Sequence, residues 1–555
     1  MLELGQIQST ILREYYRKDS PSFECYLFLH FTEAEDARAL IKRLLPMVTS
    51  CADVDRGVAH VLNIGLTYPA VDMFGFGGAA HALNQTDHEA TGAIAAFKCG
   101  MKARAVSILG DVDESDPDNW EPVYRNGRIH AVVWVTAKQE EALRQGVGKA
   151  REAIDAAPTV ELLHVQEARG FSGEYAGTEH FGYADGIAQP SVLGSGIPDH
   201  PGDGTPRKRR GWDRLQPGEF VLGQIDESGQ NQFRSPFFVN GSFLVVRKLQ
   251  QHVVRFREYV AEVAQRNGTT PELVASKMVG RWPSGAPLVL SPDRDDPALG
   301  ADDRRNNDFR YDGDPDGLRC PLGSHIRRNN PREDPSGPGA VQTRLHRIIR
   351  RSTPYGPRLP DGAPDDGKER GVMFAVINAD IARQFEFLQL NWINSVLSST
   401  VLTLPADRDP LVGQQLRGRS AGKFLIPSSH RKKAPTIAWG LPTFVTTRGG
   451  AYFLLPSLDA LWDIAHGKTY EDPNGCEQDE PQRPPDPLPE PRQPSPCDKL
   501  PRGEPEPAPS EPAVEAPAAN ADPPANADPP AEVTAPADAN PPATPPSGAR
   551  SKEGG

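Results

Sequence analysis

Cysteine is scarce and scattered: Cys25, Cys51, Cys99, Cys320, Cys476 and Cys497 are the only six in 555 residues, and no two form a CxxC pair. That excludes a zinc ribbon and a dense disulfide framework, and it favours a reducing compartment. Long apolar runs are also missing, with no uninterrupted stretch near the roughly 18 residues that a membrane span requires. The opening segment MLELGQIQSTILREYY lacks a charged leader followed by an apolar core, so the expectation is a cytoplasmic protein with no membrane attachment. A block of positive charge is absent too. The net charge is −13 with Lys and Arg spread along the chain, which argues against a nucleic-acid platform or a polybasic membrane anchor.

Proline is abundant, and its distribution divides the chain. Residues 473–555 hold 24 prolines, with Ala, Asp and Glu filling most of the rest. Almost no aromatic or branched apolar residue is available there to offset the entropy of ordering, so a disordered tail is expected, one that could recruit a protein partner. The tail carries 15 acidic and 6 basic residues, leaving the body nearly neutral.

In the body, aromatic and branched runs alternate with helical periodicity. Strands are predicted at Phe23–His30, Val58–Leu66, Ile129–Thr136 and Thr159–Gln166, with helices at Glu33–Leu45 and Gln139–Ala156. The Gly-, Pro- and charge-rich segment Gly194–Arg214 marks a boundary or long crossing loop. A second unit follows, with strands at Asn240–Arg247, Gly371–Asn378 and Ala451–Leu455 and helices at Val253–Arg266 and Asp380–Asn391. The expected divisions are 1–205, 206–472 and the tail from 473, and the body reads as α+β. The two halves share a style, but no clear sequence repeat joins them.

Three segments could carry chemistry. In HFGYADGIAQP (His180–Pro190), Asp185 sits between glycines. It is either an ordinary Asx turn or an acid or base held at a pocket rim. In CPLGSHIRRNNPR (Cys320–Arg332), His325 is followed by Arg327, Arg328 and Arg332. Histidine is more often a satisfied polar group than a metal ligand, but arginine grips carboxylates in bidentate fashion, as the propionates of a haem would require. In LHRIIRRSTPYGP (Leu345–Pro357), Arg350 and Arg351 precede a turn and by themselves read as solvated strand-end cations. Two further motifs mislead. DGDPDG at Asp312–Gly317 opens like a calcium loop but has Gly323 where a bidentate Glu is needed, and GFGGAA at Gly75–Ala80 follows no convincing strand.

Together the three segments resemble the dye-decolourising peroxidases. GYADG at Gly182–Gly186 matches that family's GxxDG motif, GSHIRRNNPR the region of its haem-ligating histidine, and RIIRRSTPYG at Arg347 its distal arginine segment. ADIARQFEFLQLNWIN from Ala379 and RGGAYFLLPSL from Arg448 look like its later blocks, so the similarity runs from about Leu4 to Leu458. The resemblance implies two ferredoxin-like domains with antiparallel sheets and one haem b per chain, lying mainly in the second domain. It also implies a peroxidase that uses hydrogen peroxide to oxidise dyes, phenols or other aromatic reductants through a high-valent iron-oxo intermediate.

On that reading His325 is the axial ligand, Asp185 the base that moves the peroxide proton, and Arg350 the cation that stabilises charge as the O–O bond breaks. A carboxylate base implies an acidic activity optimum. Arg327, Arg328 and Arg332 are expected toward the propionates, Val372 and Phe374 as pocket walls, and Glu386 as the carboxylate partner of the axial imidazole. The alternatives are a haem-handling or iron-releasing protein of the same fold, and a binding module with no cofactor.

Overall fold

The computed structural model describes residues 2–13, 22–78, 91–231, 233, 235–333, 342–395, 397–398, 401–402, 408–415, 422–428 and 435–469. The tail from 473 and the end of the Gly75–Ala80 motif lie outside the described residues. Among those described, no helix is long and apolar enough to cross a membrane.

The predicted strands form, with small shifts at their ends. In the first half they are β1 (Phe23–Phe31), β2 (His60–Leu66), β3 (Ala131–Ala137) and β4 (Val160–Arg169). Helix α1 (Ala34–Leu44) follows β1, and α2 (Glu140–Asp155) follows β3. The period of Ala37, Leu40, Ile41 and Leu44 sets the buried stripe of α1 against this sheet. Every residue of β3 is buried, as a central strand covered on both faces should be.

The second half repeats the plan. It consists of β5 (Ser242–Gln251), α3 (Val253–Asn267), two short strands β6 (Ile349–Arg350) and β7 (Thr353–Tyr355), β8 (Gly371–Asn378) and β9 (Val445–Leu455). All pairings in the main sheet are antiparallel, in the order β4-β1-β3-β2-β9-β5-β8-β6, with β7 also on β8. Each half thus has its fourth, first, third and second strands side by side, the ferredoxin-like order. The halves join at the edge pair Leu66 and Leu454. The repeat that the sequence hides is therefore one of topology.

Met1–Glu477 forms one compact unit. The expected boundary at 205/206 falls in the connection between β4 and β5, inside a small hairpin of Thr205–Pro206 with Trp212–Asp213. Two further shifts matter for the site. β9 begins at Val445, six residues before the predicted start, because Val445–Thr447 and Gly449–Gly450 pair with the end of β5. The helix predicted at Asp380–Asn391 is wound with wide i to i+5 turns over Ala382–Glu386 and Leu388–Ile393, which rotates its side chains away from an ideal α-helical phase.

Candidate active site

A cavity of about 330 Å³ opens where β8, β5 and β9 face the segment carrying His325. His325 is the first residue of a one-turn helix, α4 (His325–Asn329), anchored by Ser324 Oγ donating to the Lys277 carbonyl at 2.5 Å. Its Nδ1 lies 2.7 Å from Asp409 Oδ2. Asp409 is fully buried and is fixed by the backbone N–H groups of Leu411 (2.9 Å) and Val412 (3.0 Å) on its other oxygen. Burial alone would raise the Asp409 carboxyl, but His325 and these two amides hold it below the usual range. Burial likewise pulls His325 down, and the attraction of Asp409 reverses this to a net rise. Nδ1–H donates to Asp409, and Nε2, which makes no hydrogen bond among the described residues, is the nitrogen that could hold a metal on giving up its proton. His346 also lines the cavity, but it stacks on Phe387 at 3.6 Å and its Nδ1 lies 2.5 Å from the Arg383 carbonyl.

Asp185 and Arg350 meet on the same cavity through a 2.5 Å contact between Asp185 Oδ1 and Arg350 Nη1. Gly182 and Gly186 on either side of Asp185 have φ of 95° and 80°, conformations that L side chains avoid. The Gly186 N–H donates back to Asp185 Oδ1 at 2.6 Å. Burial pushes the Asp185 carboxyl up, but the Arg350 guanidinium and the Gly186 amide outweigh it and leave Asp185 below its ordinary value. Arg350 is placed by β6 pairing with β8, and by Gln189, whose amide donates to the Arg350 carbonyl and accepts from its N–H, both at 3.0 Å. A smaller cavity of about 140 Å³ shares Glu179, Asp185, Arg350, Ser352 and Val372 with the larger one.

Val372 and Phe374 line the larger cavity, two residues apart and so on one face of β8. Of the three arginines after His325, only Arg332 does. On α4, His325 and Asn329 share a face at i and i+4, which turns the intervening arginines elsewhere. Arg327 binds Asp314 and the Cys320 carbonyl (2.7 Å) over the ring of Tyr311, and Arg328 donates to the carbonyls of Trp392 (2.7 Å) and Ser395 (3.2 Å). Both tie the fold together. Asp314, the centre of the calcium-like motif, is spent on Arg327 and the Arg319 and Cys320 amides.

Glu386 is not beside His325. Its oxygens accept two 2.6 Å bonds from Arg104 and one of 3.0 Å from the Tyr452 hydroxyl on β9. The wide helical turns carry it toward the sheet, and Asp409 takes the place expected for it.

One end of the cavity is cationic. Arg281, Arg332 and Arg347 line it, with their donors turned largely to main-chain carbonyls. Burial, then the charge of Arg332, pulls Arg281 down to about 9 and Arg347 to about 10. Buried like charges with so little compensation suit an anionic ligand. An uncommitted imidazole nitrogen, apolar walls including Phe374, Phe385 and Leu411, and this cationic end together fit a haem with its carboxylates.

No family model matches the chain. It is similar to a dye-decolorizing peroxidase of Mycena epipterygia, with 32% identity over 84% of this chain and 87% of that protein. Among solved structures it resembles an ancestral D-type dye-decolorizing peroxidase, with a TM-score of 0.69 and 29% identity over 84% of this chain and 99% of that one. It also resembles a dye-decolorizing peroxidase in complex with 2,6-dimethoxyphenol, with a TM-score of 0.66 and 29% identity over 84% of this chain and all of the other.

Proposed function

The chain belongs to the dye-decolourising peroxidases, which are haem-dependent oxidoreductases, and from that premise we propose that His325, Asp185 and Arg350 carry its reaction between hydrogen peroxide and an organic reductant. Phenols are the reductant class we favour, supported by the relative that binds 2,6-dimethoxyphenol. The observation that carries the reading is that His325, backed by the buried Asp409, and the Asp185–Arg350 pair face one cavity.

Haem, when bound, supplies the redox-active iron, and we assign it as haem b, one per chain. His325 Nε2 would hold the metal, with the ring fixed in tautomer and made more basic by Asp409. Arg332 and Arg347, backed by Arg281, would hold the carboxylates. Val372 and Phe374 wall the space beside Asp185 and limit what can enter it. Asp185, ionised by its contact with Arg350, takes a proton from one peroxide oxygen and returns it to the oxygen that leaves as water. Arg350 remains charged throughout and stabilises the negative charge on the departing oxygen. An Asp–Arg pair placed for this transfer favours a peroxidase over a haem-handling protein.

The test is haem titration of wild type and His325→Ala, followed by one equivalent of peroxide. Wild type should take up one haem per chain and respond spectrally to peroxide, and His325→Ala should lose or grossly alter both signals. Failure of wild type to bind haem would sink the reading. We place the enzyme in the cytoplasm on its cysteine usage, in which Cys25, Cys51, Cys99 and Cys320 are all free thiols. We assign partner capture to the Pro-rich tail on its composition, and truncation at 472 tests that by comparing what each form retains.

A further inference from the structure

Glu179 lines both cavities yet has no part in the proton transfer described above. It closes the turn that delivers Asp185, which belongs to no helix or strand. Through its main chain, Glu179 N–H donates to the Tyr183 carbonyl at 3.1 Å and its carbonyl accepts from Gly182 N–H at 2.9 Å. Through its side chain, Oε2 accepts from Phe181 N–H at 2.8 Å and Oε1 from Tyr183 N–H at 3.0 Å. Oε2 also accepts from the side-chain amide of Gln251, the last residue of β5. The other end of that amide, Gln251 Oε1, is buried with no partner among the described residues, so among them the only polar contact this side chain makes is with Glu179. Two residues beyond Tyr183, Asp185 reaches Arg350.

We propose that Glu179 is a positioning residue for the Asp185–Arg350 pair: its carboxylate clamps the 179–186 turn from within and ties it to β5. This rests on the peroxidase reading above. A carboxylate has two oxygens for the two backbone donors, and no other residue type at this reach offers both. A glutamine would turn its NH₂ toward one of the donors, and an aspartate falls a methylene short. Burial pushes the Glu179 carboxyl up to about 7, against the opposing pull of these hydrogen bonds, so the ionised clamp is in force from about neutral pH upward and carries a solvation cost. A displacement near 1 Å at a reacting group costs roughly a hundredfold in rate, which sets the scale of what the clamp protects.

The experiment compares holoenzyme of wild type, Glu179→Gln, Glu179→Ala and Gln251→Leu. In Glu179→Ala the amides of Phe181 and Tyr183 should exchange faster, and kcat/KM for peroxide should fall roughly ten- to a hundredfold while KM for the reductant stays put. The acid limb of kcat/KM should move to higher pH, because Asp185 loses part of its contact with Arg350. At and above neutral pH, where Glu179 is ionised, kcat/KM for peroxide in Glu179→Gln should fall between wild type and Ala, and Gln251→Leu should lower it by less. A peroxide kcat/KM unmoved at and above neutral pH in Glu179→Gln and Gln251→Leu would overturn the proposal, even if stability fell, because a purely structural role predicts that result. If Glu179→Ala fails to fold, those two variants decide alone. Wild type without haem uptake or peroxide turnover is a separate result, and it counts against the peroxidase reading.

Discussion

Asp409 accepts the Nδ1–H of His325 at 2.7 Å across 84 residues of chain, and two backbone amides fix its second oxygen. The pairing makes the imidazole a stronger electron donor. Asp409→Asn keeps a hydrogen-bond acceptor and removes the charge, so the midpoint potential of the bound haem should rise. Activity or haem affinity should fall about 10- to 100-fold, as for other second-sphere partners of metal ligands. Potentiometry and haem titration check both effects, and an unchanged potential would mean that Asp409 only orients the ring.

Asp185 gives a pH prediction. Its carboxyl lies below the ordinary value because Arg350 and the Gly186 amide outweigh burial. A carboxylate with a depressed pKa is ionised, and so competent as a base, at every pH above that lowered value. The kcat/KM for peroxide should therefore persist below the ordinary aspartate value of about 3.9 and fall only as pH drops through the depressed one. Asp185→Asn should lose roughly 10²- to 10⁴-fold and lose this acid limb with it. Stopped-flow rates across the acid range provide the check.

How far the sequence could be read follows from where each signal resides. Strands β1 and β8 and helix α2 are legible because period and composition are local properties, and the proposed residues Asp185, His325 and Arg350, which the fold gathers on one cavity, stand out in the sequence because each sits in a short motif. Asp409 does not, because a carboxylate brought from a distant loop leaves no periodic or spacing mark. Glu386 was misassigned for a related reason: ideal helical phase points it one way, and the wide turns at 382–393 point it another. The cationic end was half legible. Arg332 follows His325 in its motif, but nothing in the spacing of Arg347 sets it apart from Arg350 and Arg351, and Arg281 joins them only through the fold.

Arg350 should show a split between its two effects. Arg350→Lys keeps a charge but loses the planar fork, and Arg350→Leu loses both. Leu should cost roughly 10²- to 10³-fold in peroxide turnover, the usual scale for a preorganised charge-stabilising donor, with Lys recovering part. In Arg350→Leu the Asp185 carboxyl should also rise, so the acid limb moves up in pH. A limb that stays in place would show that Gly186 alone keeps Asp185 ionised.

The cationic end predicts opposite effects on apoprotein and holoenzyme. Arg347 is pulled down to about 10 by burial and by Arg332, so its charge opposes folding until an anion arrives. Arg347→Leu should raise the apoprotein Tm slightly and speed haem release. Hydrogen bonds to charged groups are worth about 1.5–3 kcal/mol, which corresponds to roughly ten- to a hundredfold in affinity. Transfer of haem to a competing apoprotein reads the release rate, and a holoenzyme that keeps its haem as wild type does would place the carboxylates elsewhere.

Glu386 separates stability from redox tuning. Its side chain is 3% exposed and neutralises Arg104 through two 2.6 Å bonds while accepting from Tyr452, so Glu386→Gln breaks an ion pair that is buried on one side. Removing one partner of a fully buried pair costs about 3–5 kcal/mol, and the 23% exposure of Arg104 puts this case near the lower end. Denaturant unfolding should show that loss, while haem spectrum and midpoint potential stay at wild-type values because no bond among the described residues links Glu386 to His325. Asp409→Asn should do the reverse and move the potential more than the unfolding midpoint. If Glu386→Gln shifted the potential as much as Asp409→Asn, Glu386 would be coupled to the axial imidazole after all, through the sheet instead of by contact.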